Sequence, residues 1–336
     1  MGADGVRYLK QRRILGPRLD RLSGRQVLIH ARRPVAERIC AREIDFFNAL
    51  ADLADGAGLP VRVVAASHAN RAAAARDTRH LNVIMGAAGP LSGPHLLHAC
   101  PTYLHGFWYF DPLGARHHSS LGHIPCDLSA VPPSEAAALV TRLRSALVVE
   151  NRSKYPQPER GAVPLEQGSI AVFAQEPIPA TEGQFHIDLV SLIQATIASA
   201  GGRRVYLKPH PRQQPALLER IRAFHDPARG VEVVEASVHD LLAACAFTVS
   251  QASAVAFEGF VHGKPAILAG VTDFAANAVT IPDPAAMPSA MDQVMRRDFD
   301  HARFLHWFLI GQCLEPDAPD FSARLAARIR ATGFPL

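Results

Sequence analysis

Strand-like apolar runs alternate with helix-like amphipathic stretches along the chain. In the first half, the patterns predict strands at residues 26–31, 61–65 and 81–85 and a helix at 37–54. A further helix is predicted over 134–149, with Ser134 as its N-cap and leucines along one face. This β-α-β alternation indicates a Rossmann-like α/β domain.

The second half repeats the alternation. Strands are predicted at 169–174, 204–207, 231–234, 247–249 and 266–268, and helices at 186–199, 215–224, 238–244 and 254–262. Every connection is long enough for a crossover, so the unit is expected to be doubly wound.

Two domains are predicted, as the length of 336 residues favours. Residues 151–168 are rich in Pro, Arg, Gln and Glu and are interpreted as a linker, so the domains are placed at 1–160 and 161–336. Two terminal helices follow, at 299–313 and 322–332. The aromatic side chains Phe304, Trp307 and Phe308 are expected to pack between or against the domains.

Composition and charge narrow the class of protein. With 20% charged and 48% hydrophobic residues the chain is globular, and no apolar run approaches the roughly 20 residues of a membrane span. No secretory h-region follows the N-terminus, so we expect a cytoplasmic location.

The first 33 residues carry nine Arg or Lys against two Asp. They are either a solvated arm or a peripheral contact with the anionic face of the inner membrane. No nucleic-acid partner is predicted.

A metal site is not predicted. The five cysteines are scattered without metal-like spacing, as reduced thiols of a cytosolic protein are. His117, His118 and His123 form the most suggestive histidine group. Adjacent histidines on an extended segment point to opposite faces, however, and no Cys or carboxylate follows at ligand spacing.

Polar side chains follow the predicted strands of the second half. They are Gln175 and Glu176 after the first strand, Lys208, His210 and Pro211 after the second, Glu235 after the third, and Ser250 and Ser253 after the fourth. If the sheet is parallel, all of them fall at its carboxyl edge, where such sheets bind ligands. A cation, an imidazole, hydroxyls and carboxylates suit a nucleotide, with phosphate near Lys208, His210 and the serines and ribose near a carboxylate.

Ser253 precedes a helical run and is predicted to be its N-cap. The free N–H groups of a helix N-terminus bind anions, so Ser253 marks a candidate phosphate site. The alternative is that Ser253 only caps the helix and binds no ligand. Lys208 taken alone is equally compatible with a solvated lysine at a strand end. Glycine-rich phosphate loops and a G-x-S-x-G motif are missing from the sequence, which disfavours NAD-linked, P-loop and serine-hydrolase chemistry.

In the first half, the best catalytic candidate is Asp111. It follows an aromatic cluster of Tyr103, Phe107, Trp108, Tyr109 and Phe110. A carboxylate beside an aromatic wall is typical of sugar sites. The sequence Asp111-Pro-Leu-Gly114 is also ordinary turn chemistry, which is the alternative.

Three stretches together resemble the capsule polysaccharide biosynthesis family. They are Lys208-Pro-His-Pro211, Ser250-Gln-Ala-Ser-Ala-Val-Ala-Phe-Glu258 and Gly263-Lys-Pro265. More narrowly, they look like the retaining β-Kdo glycosyltransferases that use CMP-Kdo. Gln175-Glu-Pro177 is similar to the Gln-Pro motif of that group, with a glutamate inserted. The resemblance is best over residues 169–282.

The resemblance implies a GT-B architecture, in which two Rossmann-like domains face each other across a cleft. Its C-terminal domain would hold a CMP-sugar, with no tightly bound cofactor and no metal. It implies that Lys208 and His210 contact cytidine and phosphate, that Ser253 contacts the phosphate, and that Glu235 or Glu258 contacts the ribose. Gln175, Pro211 and Ser250 are further candidate binding residues. The resemblance also implies a catalytic carboxylate in the N-terminal domain, for which Asp111 is the match, acting by double displacement.

The resemblance leaves several roles and functions open. His117, His118 or His123 would bind the sugar carboxylate or assist proton transfer, and Glu176 is a further catalytic candidate. The acceptor would be a cell-surface polysaccharide or a lipid-linked glycan. The alternatives are a sialyl-, CDP-glycerol- or UDP-sugar-dependent transferase of the same fold, and a non-catalytic nucleotide-sugar-binding subunit of a polysaccharide export complex.

Overall fold

The computed structural model describes residues 24–86, 89–175 and 183–336. The predicted basic arm before residue 24, and Glu176 and Pro177, lie outside the described residues. The chain forms two compact units. One runs to His123 and resumes at Gln312–Leu336, and the other is Ile124–Gly311.

Within the described residues, the first unit carries a five-stranded sheet. Its strands are β1 (Val27–Ala31), β2 (Val61–Ala65), β3 (Leu81–Met85), β4 (Leu96–Pro101) and β5 (Trp108–Asp111). The order is β2-β1-β3-β4-β5, and β5 alone is antiparallel to its neighbour. The first three strands confirm the sequence prediction, whereas β4 and β5 were not predicted.

Helices pack on this sheet: α1 (Arg33–Cys40), α2 (Asp45–Gly56) and α3 (His68–Ala74). The single helix predicted over 37–54 is therefore two helices. The chain turns between them at Arg42, whose φ of 60° lies in the left-handed region and cannot continue a right-handed helix.

The second unit carries a sheet of six strands in the described part of the chain, all parallel. They are β6 (Ser169–Phe173), β7 (Val205–Lys208), β8 (Val231–Val233), β9 (Cys245–Ser250), β10 (Ala266–Leu268) and β11 (Val279–Thr280). The order β11-β10-β9-β6-β7-β8 reverses between β6 and β9. This is the topological switch point of a doubly wound sheet, as predicted.

The helices of the second unit are α4 (Pro133–Leu143), α5 (Leu189–Ser199), α6 (Pro215–Arg222), α7 (Val238–Ala244), α8 (Ala254–Val261), α9 (Met287–Arg296) and α10 (His301–His306). The predicted N-cap at Ser134 is wrong, because α4 begins one residue earlier, after Pro132, without a side-chain cap. A π-helical turn, Arg144–Val149, continues α4. None of the helices described here is both long and apolar enough to cross a bilayer.

The division into units differs from the predicted boundary at residue 160. The helix α4 packs against α10 and so belongs to the second unit, while the last helix, α11 (Phe321–Ala331), packs on α2 in the first. The predicted linker 151–168 is likewise part of the second unit. Contacts between residues far apart in the sequence determine which unit each of these segments belongs to. The composition of a segment does not reveal such contacts.

The aromatic side chains near residue 304 build the core of the second unit. Phe304 and Phe308 contact Phe257 of α8, with ring centroids 6.4 and 4.9 Å apart. Trp307 lies beside Phe304 at 5.8 Å. These rings therefore pack within one unit, where Phe304 lies on α10 and Trp307 and Phe308 lie in the π-helical turn that follows it.

Candidate functional site

The carboxyl edge of the second sheet brings several predicted residues together at the switch point. Gln175 follows β6, and its side-chain amide oxygen accepts the backbone N–H of Ala252, which follows β9. Ser250, at the end of β9, accepts the N–H of Ser253 on its hydroxyl oxygen at 3.3 Å. The two strands that flank the crevice are thus tied to each other by a side chain.

Ser253 is the N-cap of α8, as predicted. Its Oγ accepts the N–H of Val255 at 3.2 Å, and its own backbone is extended. The following eight residues are largely apolar and buried, which draws α8 against the sheet with its N-terminus at the carboxyl edge. The positive end of the helix dipole therefore faces the switch point.

Lys208 is the last residue of β7, and its side chain is held by the loop that follows β8. Its ammonium donates to the carbonyl of Ala236 at 2.7 Å. Burial lowers the pKa of Lys208, and the neighbouring Glu235 carboxylate acts in the opposite direction. Glu235 itself is exposed. The pair gives this edge one fixed cation and one accessible carboxylate.

The imidazole of His210 sits in a turn whose hydrogen bonds fix it. Its backbone N–H donates to the side-chain oxygen of Gln213 at 3.2 Å, and the Gln213 amide nitrogen donates to the carbonyl of Gln175 at 3.4 Å. The N–H of Arg212 donates to His210 Nδ1 at 3.1 Å. Because Nδ1 accepts, the neutral ring carries its proton on Nε2 and presents an N–H donor there.

Gln213 was missed by sequence reasoning. It links the turn after β7 to the end of β6, and this connection depends on how the turn folds back. A glutamine three residues after a histidine carries no signal of its own. Pro211, a predicted binding residue, is exposed in the same turn.

Glu258 lies away from the strand ends, in the second turn of α8. Only 3% of it is exposed, and its Oε1 accepts the hydroxyl of Ser153 at 2.9 Å. Oε2 is buried without a hydrogen-bond partner. Burial raises the pKa of Glu258 to about 7, against smaller opposing effects of Ser153 and Lys154.

In the first unit, Asp111 lies in a row of residues that share one face of the sheet. The strand register pairs Asp111 with His98, His98 with Ile84, and Ile84 with His30. His98 contacts the carbonyl of Leu91 through Nε2 at 2.7 Å, which requires the proton on that nitrogen. The row combines two buried histidines and a carboxylate, which sequence spacing did not reveal.

The carboxylate of Asp111 holds the turn that follows it. It is 3% exposed and accepts the N–H groups of Leu113 at 2.8 Å, Gly114 at 3.1 Å and Ser120 at 3.0 Å, and the Ser120 hydroxyl at 2.5 Å. A Cβ on Gly114 would meet the carbonyl oxygen of His118 at 2.6 Å, so only glycine fits there. The structure therefore contains the turn that was the alternative interpretation of this stretch.

His117 and His118 are arranged differently from the prediction. They lie in a 3-10 turn, Arg116–His118, and not on an extended segment, and their ring centroids are 3.8 Å apart. Burial, then His118 and Arg116, lower the pKa of His117 to about 4, and burial lowers that of His118. His117 is therefore neutral at pH 7 and offers hydrogen bonds rather than charge. His123 is exposed.

Among the residues the structure describes, no group of three or more His, Cys, Asp or Glu side chains is placed to hold a metal ion. The polar groups at the carboxyl edge of the second sheet are amides, hydroxyls, an imidazole, an ammonium and the Glu235 carboxylate. Such a set binds anions and hydroxyl-bearing ligands through hydrogen bonds.

Comparison with solved structures identifies the fold. The chain is similar to Thermosulfurimonas dismutans KpsC, β-Kdo 2,7 transferase, with a TM-score of 0.55 and 12% identity over 92% of this chain and 100% of that chain. It is also similar to Thermosulfurimonas dismutans KpsC, β-Kdo 2,4 transferase, with a TM-score of 0.50 and 15% identity over 83% and 89%. No family model and no curated protein sequence matches the chain. The predicted α/β, GT-B-like fold with two Rossmann-like units is thereby confirmed.

Proposed function

We propose that this protein is a glycosyltransferase that transfers Kdo, or a related ulosonic acid, from a CMP-sugar to a cell-surface polysaccharide or lipid-linked acceptor with retention of configuration. The observation that carries the proposal is that Lys208, His210 and the N-terminus of α8 all lie at or after the ends of strands at the carboxyl edge of the second sheet, on both sides of β6. Parallel sheets bind their ligands at this edge. The fold shared with the two KpsC transferases supports the same proposal.

The donor site is proposed to act through charge and hydrogen bonds. The helix dipole contributes only about 0.3–1 kcal/mol, so the bonds that Lys208 and His210 Nε2–H donate to the phosphate should dominate. Glu235, exposed beside Lys208, suits the ribose hydroxyls better than Glu258, which is enclosed. Gln175 and Ser250 would position the loop that carries Ser253.

The chemical step is proposed to be a double displacement. Asp111 would attack the anomeric carbon as CMP leaves, and the acceptor hydroxyl would then displace Asp111, which preserves the configuration. His118 is proposed to assist as a neutral hydrogen-bonding group, because burial lowers its pKa. Glu176 remains a further proposed catalytic residue.

A non-catalytic nucleotide-sugar-binding subunit is the second candidate. It is favoured by the hydrogen bonding of Asp111, whose two carboxylate oxygens already accept bonds from the turn at residues 113–120. A carboxylate that organises a turn does not need to react. A transferase of the same fold that uses CDP-glycerol or a UDP-sugar is distinguished from the main proposal by the nucleotide that it binds. One that uses CMP-sialic acid shares the nucleotide and is distinguished by which CMP-sugar it consumes.

The test compares nucleotides first and turnover second. CMP, CDP and UDP are added separately, and the rise in Tm is measured. A ligand at 100 times its Kd stabilises the folded state by about 2.7 kcal/mol, so the ranking of the three is resolved. We expect CMP to stabilise most and CMP-Kdo to be consumed with release of CMP. A larger effect of UDP overturns the CMP assignment, and CMP binding without turnover on any acceptor favours the non-catalytic subunit.

A further inference from the structure

Residues 151–160, here called the strap, lie across α7 and α8 of the second unit instead of forming a free linker. Their contacts are Asn151 Oδ1 with Ser237 Oγ at 2.6 Å, Arg152 O with His239 Nε2 at 2.9 Å, Ser153 Oγ with Glu258 Oε1 at 2.9 Å, Gln157 Oε1 with Val238 N at 3.0 Å, and Arg160 with Asp240. The strap is therefore anchored to α7 and α8, two of the helices that follow strands of the second sheet.

In the middle of the strap, Tyr155 reaches the turn after β7. Its ring meets the imidazole of His210 edge-on, with centroids 5.1 Å apart and planes at 87°. The guanidinium carbon of Arg212 lies 5.3 Å from the centre of the same ring. Arg212 also donates its backbone N–H to His210 Nδ1. The imidazole is thus restrained by a hydrogen bond at one nitrogen and by an aromatic ring.

We propose that Tyr155 is a positioning residue of the nucleotide site, which orients the His210 imidazole so that its Nε2–H points at the bound ligand. The inference rests on the proposed function, since it assumes that His210 contacts the nucleotide. An imidazole on a loop rotates freely about its side-chain bonds, and fixing it on binding costs conformational entropy. The edge-on contact with a ring held by the strap restricts that rotation before the ligand arrives.

A double-mutant cycle on the full chain tests the inference, with CMP as the probe and calorimetry as the measurement. Tyr155→Ala is expected to weaken CMP binding about tenfold, whereas Tyr155→Phe keeps the ring and the affinity. In the His210→Ala background, Tyr155→Ala is expected to change the Kd less than twofold, because the imidazole it orients is gone. Glu159→Ala, an exposed residue of the same strap, is the control and should leave the Kd unchanged.

The outcomes separate the inference from the function on which it rests. If the wild-type protein does not bind CMP, the proposed function itself fails. If the wild-type protein binds CMP but Tyr155→Ala weakens binding equally with and without His210, Tyr155 acts independently of the imidazole and the inference is overturned. A Tyr155→Ala variant with a lower Tm and an unchanged Kd also overturns it, because the residue is then only structural.

Discussion

The side-chain oxygen of Gln175 accepts the N–H of Ala252 and so joins the end of β6 to the loop after β9. These strands flank the point where the order of the second sheet reverses. The hydrogen bond therefore sets the spacing of the two chain segments between which we propose that the nucleotide binds. Its removal should affect stability and binding together.

Gln175→Ala is predicted to lower the free energy of unfolding by about 1–3 kcal/mol, because the N–H of Ala252 loses its partner in a part-buried position. We also expect CMP affinity to fall by about tenfold as the loop bearing Ser253 loosens. Denaturant unfolding and CMP calorimetry measure the two effects. Gln194→Ala, an exposed glutamine on α5, is the matched control and should stay within about 0.5 kcal/mol.

Asp111 is predicted to have two separate roles. It stabilises the turn that follows it, and it reacts with the sugar during transfer. Asp111→Ala should lose about 2–3 kcal/mol of stability, since three backbone N–H groups lose their acceptor, and should bind CMP but transfer no sugar. Ser120→Ala removes one donor but keeps the carboxylate. It should therefore lose about 1 kcal/mol and retain transfer.

Full transfer activity of Asp111→Ala would remove that residue from the mechanism and leave it a structural role. Loss of transfer in Ser120→Ala to the same degree would instead mean that the fold of the turn, and not the carboxylate, limits the reaction. Unfolding curves for both variants, with exposed Asp292→Ala as control, show whether either comparison is distorted by misfolding.

Glu258 is predicted to make stability depend on pH. Burial raises its pKa from 4.5 to about 7, so between these values the folded state binds more protons than the unfolded state. The free energy of unfolding therefore falls as pH rises through this window, by a total on the order of 3 kcal/mol. Glu258→Gln keeps an oxygen for Ser153 and removes the titration, so its advantage over the wild type should grow from pH 4.5 to pH 8.

Urea unfolding at several pH values measures this difference. Exposed Glu219→Gln on α6 is the control, and its curve should run parallel to that of the wild type. A Glu258→Gln curve that is also parallel to the wild type would mean that the carboxyl group titrates normally and is not enclosed as described.

Much of the second unit could be predicted from the sequence because its information is local. Apolar runs define β6, β7 and β9, prolines on both sides of His210 end the strand, and Ser253 marks the start of α8. In a parallel sheet these strand ends necessarily share an edge. The prediction of a polar cluster there follows from three local signals and one topological rule.

The parts that could not be predicted depend on contacts between distant residues. The composition of the strap is that of a linker, and only its bonds to α7 and α8 show that it packs on the second unit. The burial of Glu258 follows from the same packing, and the carboxylate of Asp111 is saturated by a hydroxyl nine residues later. Likewise, α11 lies near the end of the sequence but packs on α2, near its beginning, and so belongs to the first unit.

The most direct test of the central claim is the effect of CMP on the Tm of the wild type and of His210→Ala, with exposed His68→Ala as the matched control. The proposed site predicts that CMP raises the Tm of the wild type and of the control, and that the same CMP concentration raises the Tm of His210→Ala by only a small fraction of that amount, because its Kd is higher. A normal CMP-induced rise in His210→Ala would contradict the placement of the nucleotide at the switch point of the second sheet.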